Sequence, residues 1–342
     1  MTVARRAPRI SGVGGTRSGT GEYANRLAAH PHLREEASAW QFGQPASPLS
    51  RADLRCRLPS ESGFLRERGP WDRQPLPPSA ISAILSDAGT WRAWTHTVDT
   101  RFGTCGWSFQ DWRGSFYPDE VKDDLAYYAA QFDAVEIDST WYRIPSARTV
   151  DGWRRRTPEG FLFCPKLPGE ITHENMLDGS QELLSLFVET ISRLGDKLGP
   201  ILVQLHPRFT YEALPVLRGF LERLPSDLRY AVEFRHKSWL GKPDALSLLR
   251  DLKIGLVMAH HPWYPRFKEA TADFAYLRLL GRRDVFPDFS RVHRQQDDAL
   301  QEWVEVMRSL APEIERAFIF VNNQFEGHSP DTVRRLRTML QP

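Results

Sequence analysis

Glu136 and Asp138, two positions apart in "AVEID", are carboxylates able to hold or move a proton, and Glu233, Arg235 and His236 crowd the end of "YAVEFRH". Lys166 closes "GFLFCPK", Gln204 sits in "GPILVQL", Arg278 in "FAYLRLLG", and Asn322 and Asn323 end "RAFIFVNN". Carboxylates interleaved with cations and amides are the residue types of general acid–base chemistry on a small polar or anionic substrate. Arginine grips phosphate or carboxylate with a two-pronged fork, and lysine does so as a point charge. Glu136, Lys166 and Glu233 are therefore the candidate catalytic groups. Asp138, Gln204, Arg235, His236, Arg278, Asn322, Asn323 and His173 are candidate substrate contacts, and Trp107, Tyr142 and Trp239 are rings on which a planar ligand could stack. Isomerase, lyase and hydrolase chemistry are all open to such a set.

Other accounts compete with this one. Glu136, Asp138, Glu233 and His260 have the ligand types of a divalent-metal site, although no short motif such as His-Glu-x-x-His supports it. Aromatic and basic residues mix in "WYPRFK" (263–268), "WRRR" (153–156) and "GRRDVFPDFSRVHR" (281–294), a composition that suits a nucleic-acid backbone with stacked bases. A non-catalytic scaffold binding a metabolite or a partner is a third account. A purely structural fourth has Glu136, Asp138 and Glu233 pairing with Lys166, Arg235 and Arg278 as a buried network.

The elements that carry these residues decide their meeting. Eight short apolar runs, at 101–107, 134–138, 160–166, 199–205, 228–234, 254–260, 274–281 and 316–323, alternate with stretches of helical periodicity such as 180–194, 211–224, 243–252, 296–310 and 329–340. Alternating strands and helices over this length predict an α/β fold, a (β/α)₈ TIM barrel, with an open doubly wound sheet as the competing topology. Successive strand side chains point to opposite faces. Val135 and Ile137 therefore oppose Glu136 and Asp138, Phe161 and Phe163 oppose Cys164 and Lys166, Val203 opposes Gln204, and Val232 and Phe234 oppose Glu233 and Arg235. The polar parity predicts one interior, with its charges at the C-terminal strand ends where barrel enzymes place their active sites.

The chain has 342 residues, 41% apolar, with a formal net charge of +2, so no general field holds it to DNA or an anionic membrane. Residues 1–98 lack lysine and are rich in Arg, Pro, Ser and Gly, which predicts a largely disordered extension ahead of a barrel over 99–342. Cys56, Cys105 and Cys164 have no pair spacing of a zinc site or disulfide framework, and with no long apolar run they fit a cytoplasmic, non-membrane protein. Nothing in the residues speaks to oligomeric state.

Seven stretches, among them "GTCGWSFQDWRGSFYP" (103–118), "AVEIDSTWYRIPS" (134–146), "LGPILVQLHPRF" (198–209), "AVEFRHKSW" (231–239) and "FVNNQFEGHS" (320–329), resemble in order the YecE-like family of uncharacterised proteins. The resemblance covers about residues 101 to 340, and it implies a TIM barrel but no established reaction. Three positions depart from the family pattern: Asp138 stands where asparagine is usual, His206 precedes Pro207, and Leu280 replaces a histidine.

Overall fold

A computed structural model describes residues 98–341. The expected extension, residues 1–98, lies outside the described residues except for Val98. All eight expected strands form: β1 (Asp99–Thr104), β2 (Ala134–Ile137), β3 (Leu162–Pro165), β4 (Ile201–Gln204), β5 (Tyr230–Glu233), β6 (Gly255–His260), β7 (Phe274–Leu279) and β8 (Arg316–Val321). Every ladder between them is parallel.

Helices connect most of these strands: α1 (Asp124–Gln131), α2 (Ser139–Tyr142), α3 (Ala147–Arg155), α4 (Gln181–Ile191), α5 (Leu214–Leu221), α6 (Pro243–Asp251), α7 (Asp297–Leu310), α8 (Asn323–Glu326) and α9 (Ser329–Leu340). Local chemistry explains several of their starts. The Asp123 side chain accepts from the Ala126 N–H ahead of α1, Ser146 does the same for Thr149 ahead of α3, and prolines occupy the first turns of α5, α6 and α9. No helix joins β6 to β7, which are linked by the loop 261–273.

Continuous pairing gives a six-stranded sheet in the order β1-β8-β7-β6-β5-β4 and a two-stranded sheet of β2 and β3. The single closed ladder expected for a barrel is thus interrupted at two seams. Isolated parallel bridges cross both seams, Cys105 to Glu136 at the first, and Phe163 to Leu198 and Lys166 to Leu202 at the second. The interruption has a local cause, because β2, β3 and β4 are each four residues long and leave few pairs to register. Glycine brings the chains close at the first seam. A Cβ on Gly103 would stand 2.0 Å from the Ala134 carbonyl oxygen.

The alternation read from sequence holds on both faces. Val203, Val232 and Phe234 pack with Leu217, Phe220 and Leu248 of the surrounding helices. Val135, Ile137, Phe161 and Phe163 join a second helix-facing cluster around Trp153 and Leu194. A third cluster contains none of those helix residues: Cys105 just beyond β1 joins Ala134, Cys164, Leu202, Ala231, Val257, Tyr276 and Phe318, so all eight strand segments contribute to it. The polar residues of the same parity lie at the C-terminal end of this interior.

Candidate functional site

Arg278, the fifth residue of β7, is the centre of the cluster. Its Nε donates to Glu136 Oε2 at 2.9 Å, its Nη2 donates to Glu136 Oε1 at 2.6 Å, and its Nη1 donates to Glu233 Oε2. One guanidinium therefore bridges carboxylates from β2 and β5. Glu136 and Glu233 are fully buried and Arg278 is 3% exposed. Tyr276, two residues earlier on the same face of β7, donates its hydroxyl to Glu136 Oε2 at 2.9 Å, and Gln204 on β4 donates its amide to Glu233 Oε1 at 2.8 Å. Every carboxylate oxygen of this floor has a donor.

Above the floor lies a layer that reaches solvent. Arg235 is 15% exposed; it donates to Gln204 Oε1 at 3.3 Å and to the Tyr264 hydroxyl, and its guanidinium lies 4.5 Å from the Tyr264 ring centre. Lys166, 12% exposed, pairs with Asp138, 25% exposed, at 3.2 Å. The Thr140 hydroxyl donates to the carbonyl oxygens of Ile137 and Lys166 and accepts the Lys166 N–H, tying the β2 and β3 tips together. His173 sits on a π-helical turn, Glu170–Glu174, with its ring edge-on to Trp141 and to His206. His261 stacks on Tyr264 with ring centres 3.9 Å apart.

Burial and charge treat the two buried carboxylates differently. For Glu136, burial outweighs the attraction of Arg278 and the neighbouring Asp138 charge adds to it, so its pKa is raised. For Glu233, burial also pushes upward, but Arg278 and Arg235 together outweigh it and hold the carboxyl below the ordinary glutamate range. A pair of acids driven apart in this way is the usual arrangement when one must carry a proton and the other must stay charged. Burial, with Arg235, His206 and Lys166 nearby, lowers His173 to about 2, which keeps its imidazole neutral.

Metal-ligand geometry is present only in part. Ligand atoms of Cys105, Glu136 and Asp138 lie within 4.8 Å of one another. They suit a cation poorly: both Glu136 oxygens already accept hydrogen bonds, Asp138 is paired with Lys166, and burial followed by the Glu136 charge pushes the Cys105 thiol far above its usual pKa. His260, one of the metal-ligand candidates, has the helix-facing parity of β6 and accepts from Trp303 Nε1 at 3.0 Å.

Of the residues picked from sequence, Glu136, Asp138, Lys166, Gln204, Glu233, Arg235 and Arg278 meet here, with His173 beside them. Others are placed elsewhere. Trp239 is buried in the helix-facing core with its Nε1 donating to the Phe209 carbonyl, and His236 accepts the Ser238 N–H as a helix cap. Asn322 caps α8 by accepting from the Gln324 N–H, and Asn323 accepts from Trp112 Nε1 and the Ser329 N–H and hydroxyl. Trp107 stands edge-on to Trp153, and Tyr142 is an exposed ring edge-on to Trp141. Tyr276, which strand parity sets with Arg278, and Tyr264, which lies in the aromatic and basic stretch 263–268, are not among the candidate site residues, yet both reach the cluster.

The family model described as "Protein of unknown function DUF72" matches residues 101–342. The chain belongs to the DUF72 family. Among its relatives, UPF0759 protein YecE of Escherichia coli strain K12 is 36% identical over 118 residues, which are 34% of this chain and 43% of YecE, so the match spans less than half of that relative. UPF0759 protein YunF of Bacillus subtilis strain 168 is 26% identical over 267 residues, covering 70% of this chain and 93% of YunF. A crystal structure of a DUF72 family protein from Thermotoga maritima superposes with a TM-score of 0.61 at 29% identity, covering 71% of this chain and 100% of that one. A family member from Enterococcus faecalis gives 0.60 at 21% identity, with 72% and 99% covered, and speaks for the fold alone.

Proposed function

We propose that this DUF72 chain is a (β/α)₈ barrel enzyme acting on a small polar, anionic substrate at the C-terminal ends of its strands. The interior cluster fed by all eight strand segments supports the barrel, since opposite strands share one core only if the sheets wrap around it. The observation that carries the function is one buried arginine bridging Glu136 and Glu233, two acids whose surroundings drive them in opposite directions, beneath cations that reach solvent.

Three roles follow. Glu233 stays charged and fixes Arg278. Glu136, whose raised pKa makes it the easier of the two acids to protonate, is the general acid–base group, and Asp138, with a carboxylate oxygen within 4.8 Å of one on Glu136, exchanges that proton with the substrate at the mouth through one bridging water. Lys166 and Arg235 bind the substrate anion, each exchanging a contact made at 3.2 or 3.3 Å for a charged ligand. Isomerase, lyase and hydrolase chemistry each use such a relay. A cytoplasmic setting accords with Cys105 and Cys164, both buried and free, and among the described residues no helix is long and apolar enough to cross a membrane.

A thermal-shift panel of sugar phosphates, organic acids and oligonucleotides tests the reading, run on wild type, Lys166→Met and Asp138→Asn. The expected result is stabilisation of wild type by a small anion, lost in Lys166→Met, with turnover of that compound abolished in Asp138→Asn. A shift given only by oligonucleotides and steep in salt would transfer the site to nucleic acid, for which Trp263, 60% exposed beneath the Arg282 guanidinium, offers a stacking surface. A small-anion shift with no turnover would make the chain a binding scaffold.

A further inference from the structure

The central cluster is electrically closed. Glu136, Asp138 and Glu233 face Arg278, Lys166 and Arg235, three against three, and all six charges are already engaged. An anion entering there must displace the Asp138 carboxylate from Lys166 or the Gln204 amide oxygen from Arg235. A cation with no carboxylate to displace among the described residues stands one turn away. A cavity of about 460 Å³ opens where the chain leaves β2, lined by Arg143, which makes no side-chain hydrogen bond or ion pair among the described residues. Its volume falls within the range of small-ligand sites, roughly 300 to 1,000 Å³.

The lining is divided in kind. Ile144, Pro145 and the buried Trp153 ring contribute apolar lining, and Ser139, Ser146 and Thr149 contribute hydroxyls. The Ser146 and Thr149 hydroxyls lie 2.8 Å apart and bond each other, while Ser139 has no side-chain partner among the described residues. Thr140 belongs to both places: it lines the cavity, and its hydroxyl holds the Lys166 backbone on the cluster side. Ser139 follows Asp138 directly, so the walls of the two sites are one strand-to-helix turn.

We infer that this cavity is a second binding subsite, in which Arg143 and the hydroxyls take a phosphate or carboxylate and the apolar lining takes an attached apolar group. The inference rests on reading the C-terminal face as the ligand site, and it assigns the anionic anchor of the substrate to Arg143 in addition to Lys166. A guanidinium fork beside hydroxyl donors is the arrangement that binds planar or tetrahedral oxyanions most selectively. An amphipathic probe, phenyl phosphate, combines both required features.

The test is titration of the full chain with phenyl phosphate, phenol and inorganic phosphate, repeated with Arg143→Met, Arg143→Lys and Lys166→Met. Arg143 is exposed, so its variants should keep the wild-type melting temperature without ligand. Wild type should bind phenyl phosphate more tightly than either fragment. Arg143→Met should weaken that binding about tenfold or more, the loss expected of a charge-assisted pair, and Arg143→Lys should recover only part of it. Absence of phenyl phosphate binding by wild type, or unchanged affinity in Arg143→Met, overturns the subsite. Loss confined to Lys166→Met would overturn it while leaving the central anion site standing, and loss confined to Arg143→Met would do the reverse.

Discussion

At the residue scale, one arginine serves two acids that its surroundings have made unequal. Glu233 has a lowered pKa, so the stability it contributes is fully present above the ordinary glutamate value of 4.5 and is lost as pH falls below it. Glu136 has a raised pKa, so its contribution is present below that value and is lost as pH rises through the folded-state value. Near neutral pH, Glu233→Gln should cost roughly 3 to 5 kcal/mol, the usual penalty for breaking a fully buried pair, and Glu136→Gln should cost less. Acidification should move the two deficits in opposite directions, shrinking that of Glu233→Gln and enlarging that of Glu136→Gln. Denaturant midpoints of both variants beside wild type at neutral pH and below pH 4.5 measure this, and parallel behaviour would refute the asymmetry. His173, lowered to about 2, should contribute no titration to ligand binding across the working pH range. A binding curve for a panel ligand that follows an imidazole near its free value, and that loses this step in His173→Gln, would contradict its neutral state.

At the element scale, the seams between the two sheets control how closely β1 approaches β2. Gly103 has backbone, the Ala134 carbonyl, where any side chain would begin, and a carbonyl inside a strand cannot move aside as a flexible side chain would. Gly103→Ala should therefore cost ~3 kcal/mol or more, the upper end of overpacking penalties, and a thermal melt checks it. A mild effect would mean that the strands separate freely at that seam, and the case for a closed interior would weaken with it. A contrasting site lies at the end of α6, where Lys253 adopts the left-handed conformation with φ of 54° and an exposed side chain, just before Ile254 donates back to the Leu249 carbonyl. Lys253→Gly should stabilise by about 0.5 to 1 kcal/mol, because glycine occupies that conformation without the Cβ clash. An unchanged or lower unfolding midpoint would contradict that reading.

At the scale of the whole molecule, the solved relatives indicate how much chain the fold needs. Two structures of family members are covered over 99% and 100% of their length by 72% and 71% of this chain. A fragment of residues 98–342 should therefore unfold in a single cooperative transition, with the ligand shifts of the full chain retained. Calorimetry on the fragment would show otherwise if the transition were lost or if it broadened into two.

Strand parity was legible because it is a local property: apolar and polar residues alternate within five or six positions, and that alternation alone placed Glu136, Gln204, Glu233 and Arg278 on one face and Val232 and Phe234 on the other. The strand-tip charges could be named for the same reason. Pairing was not legible. That Arg278 takes both acids, that Gln204 sides with Glu233 while Tyr276 sides with Glu136, and that Lys166 settles on Asp138 depend on which strands come together across the interior. Aromatic residues showed the limit most clearly. Trp239, Trp107 and the asparagines of "FVNN" have the composition of ligand contacts, yet caps and core packing claim them, whereas Tyr264 reaches Arg235 from a loop with no periodicity to betray it. Sequence alone determined which face each strand residue shows, because the backbone imposes it residue by residue. Tertiary structure decided partners, burial and the split between two glutamates, because those depend on charges that meet only when distant segments close around one core.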